Sequence, residues 1–247
     1  YGASPFFVAW SRFLIGALAI LPFAPTATWA LFANWRIWMR AMFLTVGITS
    51  IPIALRSEPI ADVFAAFFIG PIFSYVLSVI FLREPVTWQR TALILLGFAG
   101  VLLVVRPGFG GSGGLAFAVL AGLCYGAFLT TSRWLSGLAA PVSLVFTQLA
   151  ISATLLAPLG LLQFPQLGMP VASLTLASGL FSMLGNLLLL FAYRLAPATQ
   201  LAPLVYFPLL AATALGWAVF SDLPDTLTWA GLILVIGSGI TSALLRR

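Results

Sequence analysis

Nine runs of mostly apolar residues, each long enough to cross a bilayer, leave this chain few folds to choose from. They cover about residues 4–23, 39–56, 59–82, 88–106, 114–133, 142–162, 172–194, 197–220 and 227–245. Short connections separate them, marked by Pro22, Pro25, Pro59, Pro85, Pro165, Pro170, Pro197 and Pro224 and by a Gly-rich run over 107–114. Only 6% of the residues are charged, where a soluble domain carries about 25%, so lipid must be the solvent for most of the surface. Backbone groups in lipid have to be satisfied internally, which permits helices or a closed barrel. Unbroken stretches such as Thr91–Val105 and Leu180–Phe191 lack the strict alternation of barrel strands. The expected fold is therefore all-α, a polytopic membrane helical bundle.

All eleven basic residues are arginine; there is no lysine, no histidine and one cysteine, Cys124. The arginines are scattered between apolar runs rather than clustered on a wet face, which argues against a nucleic-acid partner. A single cysteine excludes an internal disulfide and any cysteine-cluster metal site. Without histidine the common neutral-pH base is missing as well. No metal or cofactor is expected. Counting connections alternately, Arg36, Arg40, Arg83, Arg90, Arg133, Arg194, Arg246 and Arg247 fall on one side. Arg56 and Arg106 fall on the other with Glu58, Asp62, Asp222 and Asp225. That skew puts the C-terminus in the cytoplasm and Tyr1 outside. Trp29, Trp35, Trp38, Trp88, Trp134 and Trp229 lie near span ends, where indoles anchor at the headgroup level.

The chain repeats itself. Residues 54–61 reappear at 192–199, a shift of about 138, which also lays Gly47 on Gly185 and Glu84 on Asp222. Gly97 lies over Gly237 and Ala3–Arg12 over Ala139–Gln148 at slightly different shifts. With Arg56 outside and Arg194 inside, the two copies are inverted, as in many secondary carriers. This divides the chain into a first copy at 1–107, a Gly-rich linker at 108–113 and a second copy at 114–247. The second copy has five spans and the first only four, so a helix before Tyr1 is expected and a full form of ten.

Several motifs bear a family likeness: Ala3-Ser4-Pro5 through Trp10-Ser11-Arg12-Phe13-Leu14, Ala54-Leu55 followed by Pro59-Ile60-Ala61, and Pro71. Phe81-Leu82-Arg83-Glu84-Pro85-Val86-Thr87 running into Gly97-Phe98-Ala99-Gly100-Val101 carries most of it. With these the chain resembles EamA-type members of the drug/metabolite transporter superfamily over essentially its whole length. Asp222-Leu223-Pro224 departs from the family's Glu-Pro in the second copy. The resemblance implies a carrier of amino acids, S-adenosylmethionine, drugs or similar metabolites, with a central cavity between the repeats and a bacterial inner-membrane location.

Arg12 is the sharpest candidate for substrate contact, about 12 Å into its span at 1.5 Å per residue. It either faces a wet cavity and grips an anionic group such as a carboxylate, or snorkels and bonds backbone carbonyls. Gln148 is its repeat counterpart and either shares that role or bridges helices. Asn186, mid-span, has the same two readings. Phe68, Tyr75 and Tyr206 are aromatic candidates for lining a cavity suited to amphiphilic solutes, against ordinary core packing. Asp62 reads as a dipole-stabilised N-terminal carboxylate, against a role in proton coupling. Glu84 and Asp222 are expected to fix helix ends or pair with Arg83 or Arg90, with gating as the sharper alternative. Pro52, Pro71, Pro203 and Pro208 fall inside spans and are candidate kinks. Gly97, Gly100, Gly231, Gly237 and Gly239 allow close helix packing, within the chain or in a homodimer.

These features favour a secondary carrier working by alternating access. A membrane-embedded enzyme lacks the usual catalytic sets. A channel lacks a filter or a ring of charge. A nonconducting scaffold stays open. No phosphate loop of the Gly-Lys-Ser/Thr type supports ATP-driven transport.

Overall fold

The computed structural model describes residues 4–108, 113–165, 168–220 and 223–245. Tyr1, Ala3, Asp222, Arg246, Arg247 and most of the Gly-rich linker lie outside the described residues. The described chain is helical, with no strand: α1 Pro5–Ile20, α2 Trp35–Ala54, α3 Ile60–Phe67, α4 Gly70–Leu82, α5 Trp88–Val105, α6 Gly114–Leu135, α7 Pro141–Leu162, α8 Met169–Leu195, α9 Ala198–Leu201, α10 Pro208–Phe220 and α11 Thr226–Leu244. Among the described residues nine helical segments are long and apolar enough to cross a membrane.

Local chemistry sets the helix ends. Ser4 precedes Pro5 and accepts from the Phe6 N–H, so proline sits at the first turn where its missing donor costs nothing. Thr87 caps α5 by accepting from the Arg90 N–H, and Asp225 caps α11 by accepting from the Thr228 N–H. Helices α4 and α5 end on left-handed residues, Arg83 at φ 54° and Arg106 at φ 49°. The Arg106 guanidinium donates to both carboxylate oxygens of Asp225, at 2.5 and 2.6 Å, joining the end of α5 to the start of α11.

Two expected spans are not single helices. The run 59–82 breaks at Phe68–Ile69 into α3 and α4, and 197–220 breaks into α9, a 3-10 turn Ala202–Tyr206, and α10. Pro71, Pro203 and Pro208 each sit in the first turn of the new element, so they start helices rather than kink them. Pro52 remains inside α2 and Pro158 inside α7. A 3-10 segment, Thr26–Ala33, precedes α2 and was not foreseen. Helix α2 itself starts at Trp35, four residues earlier than expected. It therefore takes in Arg36, which the expected span 39–56 left in a connection, and sets Arg40 one turn further into the helix.

The helices group into two compact units. The first comprises Tyr1–Pro52 with Thr131–Leu195, the second Ile53–Thr130 with Ala196–Arg247. Each unit draws helices from both copies of the repeat. In the first, α1 packs most extensively on α7 and then on α8. A Cβ added at Gly160 would meet Trp10 at 2.5 Å, and one added at Gly16 would meet Leu149 at 3.0 Å. As α1 ascends from 10 to 16, its α7 partner descends from 160 to 149, so the two helices cross antiparallel. In the second unit α5 packs most extensively on α11. Gly97 abuts Ser238, Gly100 abuts Val235 and the Gly231 carbonyl, and Val104 abuts Gly231, again antiparallel. Helices one repeat apart thus run in opposite directions, which copies inverted across a bilayer require.

The first unit buries a band of polar contacts. Arg40 is only 1% exposed and donates to the Ser132 hydroxyl and the Leu144 carbonyl, both at 2.9 Å. The Thr45 hydroxyl donates to Ser152 at 2.9 Å, and Thr28 and Ser143 share a bond at 2.8 Å. Arg133 donates to the Tyr193 carbonyl and Arg194 to the carbonyls of Ser136 and Ala139. Arginines tallied as loop charges thus hold backbone carbonyls in place, a use of the guanidinium fork that hydropathy does not reveal. Large apolar side chains remain outward on α8, among them Leu174, Phe181 and Leu188 at heptad spacing, where lipid tails are their natural neighbours. Trp29, Trp35, Trp38, Trp88, Trp134 and Trp229 are all exposed, as an interfacial belt demands. The Arg36 guanidinium stacks 4.6 Å over the Trp134 ring.

Candidate functional site

In the first unit the three polar candidates fall into one network. The eighth residue of α1 is Arg12, and its Nη2 donates to the Ser182 hydroxyl on α8 at 3.0 Å. One turn further along α8, the Asn186 amide nitrogen donates to the Ser182 carbonyl at 2.9 Å. That bond fixes which way the Asn186 amide points, leaving its oxygen to accept from Gln148 Nε2 at 3.3 Å. Gln148 lies on α7 and is completely buried. Two atoms of the network have no partner although they are buried: Arg12 Nε, a donor, and Gln148 Oε1, an acceptor. Unmade bonds of this kind cost about 1–3 kcal/mol each, so native proteins keep few of them. Repeat counterparts Arg12 and Gln148 therefore meet the same helix from two packed neighbours. Ser182 was not singled out from sequence; its position four residues before Asn186, on the same helical face, was the available signal.

The aromatic candidates fall together in the second unit. Phe68, Tyr75 and Tyr206 belong to one buried cluster with Ile94, Val101, Ala202 and Val235. Phe68 closes α3 at its break and Tyr206 closes the 3-10 turn at the other, positions 138 residues apart in the repeat. Their rings pack edge to face with centroids 6.0 Å apart. The Tyr206 ring lies against Gly97, where an added Cβ would approach it to 3.0 Å. The Tyr75 hydroxyl shares a 2.8 Å bond with Thr91, whereas the buried Tyr206 hydroxyl has no partner. Interrupted helices at corresponding positions of two copies are what carriers use to build solute sites.

Carboxylates in this unit act on helix ends. The carboxylate of Glu84, just beyond α4, accepts from the N–H groups of Ala198 and Thr199 at 3.0 and 2.9 Å, satisfying the start of α9. Arg90 donates to the Thr199 hydroxyl at 3.2 Å. Asp62 accepts from the Gly108 N–H at 2.5 Å, and Glu58 from the Leu115 N–H at 3.0 Å at the start of α6. Outside the spans, hydrogen bonds from Arg106 and then Thr228 hold the Asp225 carboxyl well below the usual carboxylate range. No group of three or more metal-ligating side chains forms among the described residues.

A sequence profile of the EamA-like transporter family matches residues 2–106 and again 112–243. The chain belongs to that family. Among individual relatives of this EamA-type chain is an S-adenosylmethionine uptake transporter of Rickettsia bellii (strain RML369-C), 24% identical over 94% of this chain and 81% of the relative. A riboflavin transporter of Rhizobium johnstonii is 26% identical over 83% and 69% of the two chains. The pseudopaline exporter CntI of Pseudomonas aeruginosa is 30% identical over 74% and 66%. A crystal structure of 18% sequence identity superposes with a TM-score of 0.84 over 99% of this chain and 90% of that one, which shows the shared fold. The EamA-type chain is a multi-pass bacterial membrane protein that transports small metabolites and is not an enzyme.

Proposed function

We propose that Arg12 holds an anionic group of the transported metabolite, and that the protein presents this group to each side of the bilayer in turn. One observation carries the reading. A guanidinium inside a span has a neutral serine hydroxyl as its described side-chain partner and keeps a buried N–H unused. A charge at that depth is costly unless a counter-charge or water reaches it, and an anionic solute supplies both the charge and the acceptor. Gln148 and Asn186 orient the same solute through the network that joins them.

Phe68, Tyr75 and Tyr206 are proposed as substrate-binding aromatics of the second unit, with the unpartnered Tyr206 hydroxyl offering one directed bond. Solutes named for the relatives, S-adenosylmethionine, riboflavin and pseudopaline, are the first to test. The two functional copies are 1–107 and 114–247, linked by 108–113. The C-terminus faces the cytoplasm from the inner membrane, the protein has no nucleic-acid partner, and it forms a homodimer; Gly237, where an added Cβ meets nothing of its own chain within 4 Å, is a glycine open to a partner.

The test is saturable uptake of these three solutes into proteoliposomes. Arg12→Ala, inserted in equal amount, is expected to lose uptake of the solute that the unaltered protein carries. Undiminished uptake by Arg12→Ala overturns the reading.

A further inference from the structure

Charge is divided unevenly between the two units. The segments of the first, 1–52 and 131–195, hold five arginines and no aspartate or glutamate, whereas all five carboxylate residues of the chain belong to the second. Contacts gather four of those five arginines, Arg36, Arg40, Arg133 and Arg194, at one end of the unit, where α2 and α7 begin and α6 and α8 end. Three of the four are engaged by the protein itself. Arg40 donates to the Ser132 hydroxyl and the Leu144 carbonyl, Arg133 to the Tyr193 carbonyl, and Arg194 to the carbonyls of Ser136 and Ala139. Arg36 differs. It is exposed, and among the described residues no carboxylate or carbonyl takes its guanidinium N–H groups.

What holds Arg36 is aromatic. Its guanidinium carbon lies 4.6 Å from the Trp134 ring centroid and 5.9 Å from that of Trp35, and the two indoles meet edge to face at 6.5 Å. A guanidinium laid on a ring keeps its N–H groups in its own plane, so the fork is positioned and still unused. The helix start neither needs this side chain nor supplies an acid for it. Asn34 accepts from the Arg36 backbone N–H, and the first turn of α2 contains no acidic residue. A cation in the first turn opposes the helix dipole, a cost that an anion from outside the chain would offset.

We infer that Arg36, framed by Trp35 and Trp134, binds the phosphodiester of an anionic phospholipid. The depth of the site and its charge both point to this occupant. Trp29, Trp35, Trp38 and Trp134 are exposed at this end of the unit, tied together where Trp29 stacks on Phe32 and Trp38 donates to the Phe32 carbonyl. Exposed indoles lie at the headgroup level, which is where phosphodiesters are found. A planar fork takes two oxygens of one phosphate. The unit has no carboxylate for the ammonium of a zwitterionic headgroup and sets four like charges against it. A headgroup without an ammonium, as in phosphatidylglycerol, is therefore favoured. The site uses none of the residues proposed to contact the transported solute.

The full chain, purified in dodecyl maltoside, is titrated with phosphatidylglycerol, phosphatidylcholine or inorganic phosphate while its thermal unfolding midpoint is followed. Phosphatidylglycerol is expected to raise the midpoint at about tenfold lower concentration than phosphatidylcholine, the worth of one charge-assisted bond, and phosphate to leave it unchanged. Arg36→Gln is expected to bring phosphatidylglycerol to the level of phosphatidylcholine. Arg83→Gln removes an exposed arginine of the second unit that stacks on no ring among the described residues, and is expected to keep the preference. No response to phosphatidylglycerol, or an equal one to phosphatidylcholine, overturns the inference, as does a preference kept in Arg36→Gln. Equal loss in Arg36→Gln and Arg83→Gln overturns it in favour of diffuse charge attraction, and a matching response to phosphate in favour of a free anion. If Arg36→Gln does not fold, Trp134→Leu takes its place, since it keeps the charge and removes the stack; an undiminished preference there overturns the site equally.

Discussion

The two units of this transporter handle polarity in opposite ways. The first threads polar side chains through continuous helices: α1, α7 and α8 run unbroken past Arg12, Gln148 and Asn186, and the side chains satisfy one another across helices. The second interrupts its helices instead. Its breaks fall at Phe68–Ile69 and at Ala202–Phe207, its core there is aromatic, and its carboxylates accept from the N–H groups of helix starts. Polar chemistry in a bilayer can therefore be carried by a side chain on an intact backbone or by the backbone itself at a break. This chain uses one solution in each unit. A side-chain network offers a solute its side-chain atoms, whereas a break offers backbone groups and close approach.

Packing at the glycine crossing of the second unit should give the largest effect. A side chain at Gly100 meets the Gly231 carbonyl at 2.7 Å, while one at Gly237 meets nothing within 4 Å. Gly100→Leu is expected to abolish recovery of monodisperse protein in size-exclusion chromatography, and Gly237→Leu to leave it intact, since overpacking costs about 1–3 kcal/mol or more only where backbone blocks relief. Equal tolerance at both positions would break the assignment of α5 and α11 as a close pair.

Next is Arg12→Ala, for which a loss of about 10- to 100-fold in uptake rate at low solute concentration follows from removing one charged contact of about 1.5–3 kcal/mol. Glu84→Ala strands two buried N–H groups and is expected to lower stability by about 1–3 kcal/mol, read as a fall in the thermal unfolding midpoint. Glu84→Gln keeps one acceptor oxygen and should fall between. Tyr206→Phe removes a hydroxyl that has no partner, so stability should hold or rise by less than about 1 kcal/mol. A drop in uptake without a drop in stability would mark that hydroxyl as a solute contact.

The smallest effect belongs to the exposed Arg106–Asp225 pair. Because the folded carboxyl titrates below its ordinary value of 3.8, the pair contributes fully above that value and its contribution fades as pH falls through and below it. Asp225→Asn should flatten that acid-side decline in the unfolding midpoint and leave neutral pH nearly unchanged, surface pairs being weak.

Much of this architecture is legible in the sequence because apolar length and proline position are set by the bilayer itself. Among the described residues, each of the nine helical segments long and apolar enough to cross a membrane lies within a few residues of an expected span. Arg12, Gln148 and Asn186 could be picked out because polar residues inside apolar runs are rare enough to stand out. Their partner Ser182 could not, since a serine bonds its own backbone as readily as a neighbour. Hydropathy also misplaced the start of α2, leaving Arg36 outside and Arg40 at the very end of the span, yet Arg40 is buried against Ser132 and the Leu144 carbonyl, contacts made by residues some 90 positions or more away. The breaks at Phe68 and Tyr206 were visible only as prolines, which signal either a kink or a helix start; tertiary packing decided for the start.

Sidedness of the repeat tests the account most directly, because a carrier of this kind needs its two copies to face opposite ways. Single cysteines replacing Arg56 and Leu195, repeat-equivalent neighbourhoods that are both exposed, can be placed in a Cys124→Ala background and labelled with an impermeant maleimide from each side of sealed vesicles. The account predicts that the two positions label from opposite sides. Labelling of both from the same side would contradict it.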